Sequence, residues 1–237
     1  MRIDLIKRPK GVTIIEGFPG FGLVGTISTE FLIDHLQAEK IGRVWSKNIQ
    51  PMVAVHDSKV VDPIGIFYSS KYNLVILHAL TSVNGIEWDL ADTLNDLAKQ
   101  LQAKEIISVE GVGSMDPTKG IKAFYYTKNV KKWQSVNIEP LKEGIVMGVT
   151  GAMLLNLKGT PVSCVFAETH SKLPDSRAAA KVIEVLDNYL GLKVDYKPLL
   201  KKADEFEGKI KDILSQTKSA GQDKLKIDKA RMMDYVG

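Results

Sequence analysis

The chain has only one cysteine, Cys164, in 237 residues. No internal disulfide can form, so stability must come from burial, and the expected compartment is a reducing cytoplasm. No apolar run approaches the roughly 20 residues needed to cross a bilayer. The opening segment MRIDLIKRPKGV also lacks the apolar stretch of a signal peptide. Paired cysteines, H-x-x-x-H spacing, a G-x-S-x-G elbow and a glycine loop closed by Lys-Ser/Thr are missing as well. Those gaps remove the common zinc sites, the α/β-hydrolase nucleophile and the phosphate loop of nucleotide hydrolases. Charge of one sign is scarce: 32 Lys and Arg oppose 28 Asp and Glu, and a net +4 is too diffuse for a nucleic-acid surface. No repeat of 20–50 residues is visible.

What remains is an ordinary globular mixture, 44% apolar and 25% charged. The length suits one large α/β domain, or one domain plus an appendage, with a core that needs no staples. Apolar, β-branched runs predict strands over 12–17, 43–46, 51–57, 64–70, 74–80, 105–111 and 161–169. The run LVILHAL (74–80) is apolar throughout, as a central strand covered on both faces should be. Helical periodicity covers 22–37, 87–102, 144–159, 175–190 and 198–217, with Leu90, Leu94, Leu97 and Leu101 on one face of the second. Asp175 is placed to cap the fourth helix. Residues 112–140 read as irregular with some strand character. Alternating strands and helices predict a mostly parallel sheet covered on both faces. The pattern changes between Leu192 and Pro198, which divides a core domain, 1–196, from a charged C-terminal helix and tail, 197–237. Residues 193–237 hold 11 Lys/Arg and 8 Asp/Glu, the balance of a solvated helix.

EGFPGFGLVG (16–25) carries Gly20, Gly22 and Gly25 in the spacing of a dinucleotide-binding turn. Two features oppose that reading. Pro19 stands directly before the first glycine, and the predicted strand 43–46 leads into Ser46-Lys47 where a ribose-binding acid is required. The simpler reading is a tight strand-to-helix turn in which glycine tolerates unusual dihedrals and close packing. No dinucleotide, other cofactor or metal is expected.

The four histidines are His35, His56, His78 and His170. His35 falls on a helix and reads as exposed. His56, His78 and the pair Glu168 and His170 fall near strand ends, where a sheet's carboxyl edge builds sites. Ordinary polar contacts account for each as well, and Cys164 in PVSCVFAET reads as a buried, inert thiol. No acid, base and nucleophile can be assembled, and no catalytic residue is assigned.

Five blocks, IIEGFPGFGLVGTISTEFLIDHL, VWSKNIQPMVAVHD, EIISVEGVGS, EGIVMGVTGAMLL and FAETHSKLPDSRAAAKVIEVLDNYLGLKVD, run in one order across residues 10 to 196. Together they resemble the proteasome assembly chaperone family in its archaeal, single-domain branch. The resemblance implies a three-layer α/β/α sandwich related to nucleoside phosphorylases. It implies a non-enzymatic homo-oligomer that binds proteasome subunits, the 20S core or a related ATPase partner, with no membrane or nucleic-acid role. Some members carry a C-terminal hydrophobic-Tyr-any tripeptide that inserts between proteasome α subunits. Here Met232, Met233, Tyr235 and Val236 form an apolar cluster at the tail and are the expected partner-binding residues. Tyr235 is third from the end rather than second, and Asp234 occupies the hydrophobic position. The alternative is a small-ligand enzyme of nucleoside-phosphorylase or hydrolase type; within the family reading, the fold's enzyme relatives leave room for a vestigial small-molecule pocket near Gly20, His56 and Glu168.

Overall fold

A computed structural model describes residues 1–56, 58–113, 120–169, 173–195, 197 and 200–201. The tail residues Met232, Met233, Tyr235 and Val236, and nearly all of the helix expected over 198–217, lie outside the described residues.

The strands are β1 (Arg2–Leu5), β2 (Thr13–Gly17), β3 (Glu39–Trp45), β4 (Ala54–His56), β5 (Lys59–Val61), β6 (Ile64–Ser69), β7 (Leu74–Ala79), β8 (Glu105–Gly113), β9 (Ala123–Thr127), β10 (Glu139–Pro140) and β11 (Val162–Thr169). The helices are α1 (Val24–His35), α2 (Glu87–Leu101), α3 (Val130–Trp133), α4 (Gly148–Asn156) and α5 (Ser176–Leu190). Nine strands form one sheet in the order β1-β3-β6-β7-β2-β8-β11-β9-β10, and β4 and β5 form a separate hairpin. The central four, β7-β2-β8-β11, are parallel. The flanking pairs β6/β7, β3/β6, β1/β3 and β9/β11 are antiparallel.

Helices α1 and α5 cover one face of this sheet, and α2 and α4 cover the other. The architecture is therefore the expected α/β/α sandwich, with the parallel strands at its centre and antiparallel strands outside. The reason is visible in the side chains. Ile15, Ile107 and Val165 point to the α1/α5 layer, whereas Ile14, Ile106 and Leu77 point to the α2/α4 layer. A strand buried on both faces must be apolar at successive positions. All four leucines of α2 singled out by their spacing are buried. Asp175 caps α5 as expected, its Oδ1 accepting the Ala178 N–H at 2.9 Å.

Four local expectations are corrected. Strand β1 was not legible, because it is short and alternates with Arg2 and Asp4. Strand β3 begins at Glu39 rather than 43. The helix expected over 144–159 is shorter: α4 starts at Gly148, whose φ of 68° is a left-handed step, and Met147 before it is extended. The irregular stretch 112–140 contains β9, α3 and β10, locked by Trp133, which stacks between Tyr125 and Tyr189.

Candidate functional site

The turn after β2 shows what the glycines do. Gly22 takes φ 61° and Leu23 φ 49°, so the chain reverses hand before α1. A Cβ on Gly17 would stand 2.2 Å from the Gly25 carbonyl oxygen, and one on Gly25 would stand 2.6 Å from that of Val109. A Cβ on Gly111 would stand 2.2 Å from the carbonyl oxygen of Phe21. The start of α1 thus lies directly on the ends of β2 and β8. The strand after α1, β3, sits three places from β2 in the sheet. Its end cannot supply a ribose contact beside this turn, so the geometry is that of a packing turn.

The same dipeptide stands at or near the carboxyl end of each of these two strands, Glu16-Gly17 closing β2 and Glu110-Gly111 two residues before the end of β8. Alternation along a strand sends neighbours to opposite faces. The glycines admit α1 on one face, and the glutamates enter the α2/α4 layer on the other. Glu16 is 1% exposed, and among the described residues neither of its carboxyl oxygens makes a hydrogen bond of good geometry, although the Ser108 hydroxyl lies nearby. In register beside Glu16 is Ser108, whose hydroxyl lies 2.6 Å from that of Thr150 on α4. The Thr150 hydroxyl in turn donates to Glu110 Oε1.

Burial pushes Glu16 well above the ordinary carboxylate range; the nearby Ser108 hydroxyl opposes this and the Glu110 charge reinforces it. Burial also pushes Glu110 up to about 7, against the opposing pull of Thr150. Cys164, in register with Ser108, is buried and its thiol is pushed up by burial and by the two glutamates.

Above this polar column the ends of β2, β8 and β11 open into a cleft of about 940 Å³. Phe18, Phe21, Phe124 and Phe166 line it, with Glu110 at its floor. Glu87, Glu139, Glu143 and Glu168 add carboxylates, against Lys122 and Lys142. Residues 139–148, which run from β10 to the start of α4, form one wall. In the sheet order β7 lies on one side of β2 and β8 on the other, so the cleft opens at the switch point where α/β sheets bind ligands.

Of the residues singled out from sequence, Gly20 and Glu168 line this cleft. His78 does not: it is buried against α1, with Nδ1 2.8 Å from Thr29 Oγ1 and Nε2 2.9 Å from Glu30 Oε2. His35 is exposed at the end of α1, stacked on Phe31. The side chain of His56 and all of His170 lie outside the described residues. Glu16 and Glu110 were missed; the repeated Glu-Gly near the carboxyl end of an apolar strand was the signal. Among the described residues no His, Cys, Asp or Glu cluster could hold a metal ion, and no helix is long and apolar enough to cross a membrane.

The PAC2 family model matches residues 14–214. The chain is similar to the crystal structure of Pyrococcus furiosus PbaA, an archaeal homolog of proteasome-assembly chaperone. That likeness has 28% identity and a TM-score of 0.79, covering 93% of this chain and 94% of that one. Pyrococcus furiosus PbaB, an archaeal proteasome activator, has a similar fold at 22% identity and a TM-score of 0.75, covering 90% of this chain and 98% of that one. An uncharacterized protein of Methanocaldococcus jannaschii is 26% identical over 237 residues, 94% of this chain and 92% of its own.

Proposed function

The chain belongs to the PAC2 family, and from that premise we propose that it is a non-enzymatic, homo-oligomeric chaperone or adaptor of the cytoplasm. Its partners in this reading are proteasome subunits, the 20S core or a related ATPase. The observation that carries the reading is the likeness to the archaeal assembly-chaperone homolog over nearly the whole chain.

Apolar surface supports it. Val53, Val55 and Val60, on and beside the β4–β5 hairpin, are each more than half exposed. A second group stands near α4, where Ile145 is 88% and Leu155 77% exposed. Solvent-facing apolar groups of this size mark surfaces that other proteins cover. In this proposal residues 1–196 form the core, and residues 197–237 carry the partner-binding cluster Met232, Met233, Tyr235 and Val236. Light scattering should give a mass that is a multiple of 26.2 kDa, and the tagged protein should retain purified 20S core or its α subunits. A monomer at all concentrations, or no retention of either partner, overturns the reading.

A further inference from the structure

We propose that the cleft at the ends of β2, β8 and β11 binds a small organic amine, with its ammonium group on Glu110 and its apolar body against the paired rings of Phe124 and Phe166. This goes beyond the proteasome reading and does not depend on it.

Four observations lead there. The cleft volume, about 940 Å³, lies at the upper end of the range of small-molecule sites, and its place at the switch point is where such sites form. Its walls are largely apolar and aromatic, which suits a hydrocarbon body and attracts a cation to ring faces. Its charged lining is dominated by carboxylates. An ammonium group is a donor with no acceptor, so it matches a carboxylate floor.

The fourth observation is Glu16. It is fully buried on the same sheet face, two residues before the cleft residue Phe18, and among the described residues only the nearby Ser108 hydroxyl approaches its carboxyl group. Burying a carboxyl with so little hydrogen bonding is costly. Glu16 makes the floor more negative when ionised and holds a proton beside Glu110 when neutral. The start of α4 also faces the cleft without a side-chain cap, which by itself would favour an anion. Glu110, held there by Thr150, already supplies the negative charge at that position.

Glu16 on β2 and Cys164 on β11 interact with Glu110, and the charged residues that share its cleft are Glu168 on β11, Glu87 on α2, Lys122 ahead of β9, and Glu139, Lys142 and Glu143 on the wall. A bound ammonium favours ionised Glu110. Affinity should therefore rise with pH through about 7 and level off above it, because an alkylammonium keeps its own proton over that range.

The test is calorimetric titration of the full chain with 2-phenylethylamine, 2-phenylethanol and phenylacetate at pH 6 and pH 8. The amine should bind at pH 8 at least about tenfold more tightly than the alcohol, and about tenfold more tightly than at pH 6. Glu110→Gln should remove both differences. Amide shifts in the unaltered protein, expected at Gly111, Gly113 and Lys122, keep the test valid if the variant folds poorly. Equal binding of amine and alcohol, tighter binding of phenylacetate, or shifts confined to another surface would overturn the proposal. So would the absence of amine binding at millimolar concentration.

Discussion

At the scale of single residues, the two buried glutamates near the carboxyl ends of β2 and β8 make stability depend on pH. An exposed carboxyl ionises near 4.5, whereas folded Glu110 does so at about 7. Between these values the unfolded chain has lost a proton that the folded chain keeps. Stability therefore falls as pH rises through that window, by an amount on the order of 3 kcal/mol. Glu16, raised for the same reason, adds to the fall with the same sign. Glu110→Gln should flatten this slope, read as the difference between urea midpoints at pH 5 and pH 8. Parallel behaviour of variant and parent would show that Glu110 is not the titrating group. These residues were legible only as a pattern. A glutamate at the end of an apolar strand looks like a boundary, and its burial depends on α4, which is far away in sequence.

At the scale of elements, the strand-end glycines decide whether α1 can dock. Gly111→Ala places a methyl 2.2 Å from the Phe21 carbonyl oxygen, a backbone atom that cannot swing aside. The expected loss is about 3 kcal/mol or more, at the upper end of overpacking. Gly113→Ala, two residues on with nothing within 4 Å of its new Cβ, should change stability by less than about 0.5 kcal/mol. Thermal or urea unfolding followed by circular dichroism separates the two; equal effects would refute the packing account of the turn.

The amphipathic helices α2 and α5 could be read from sequence because leucine and valine spacing alone defines their buried faces. The apolar segment before α4 could not. Ile145 and Met147 are apolar yet exposed, and the left-handed step at Gly148 starts the helix late. The cleft itself was half legible. Gly20 and Glu168 were identified, but its floor comes from Glu110 and its wall from 139–148, a segment without periodicity.

At the scale of the whole molecule, the apolar tail cluster is expected to work on a partner rather than on the core. Deleting residues 232–237, or changing Tyr235→Ala, should weaken retention of the 20S core while leaving oligomer mass and melting temperature unchanged. Dissociation of the oligomer by the deletion would make the tail an assembly strap instead. The sheet order carries one more consequence, for how the chain is made. Thr13 in β2 pairs with both Leu74 and Glu105, so the first central strand to leave the ribosome has no partner until much later segments follow. Such long-range parallel pairing folds slowly, because loop closure precedes any gain from contact. During that interval TIIEG stays an unpaired apolar ribbon, open to mispairing with any other exposed strand until Leu74–Ala79 and Glu105–Gly113 follow.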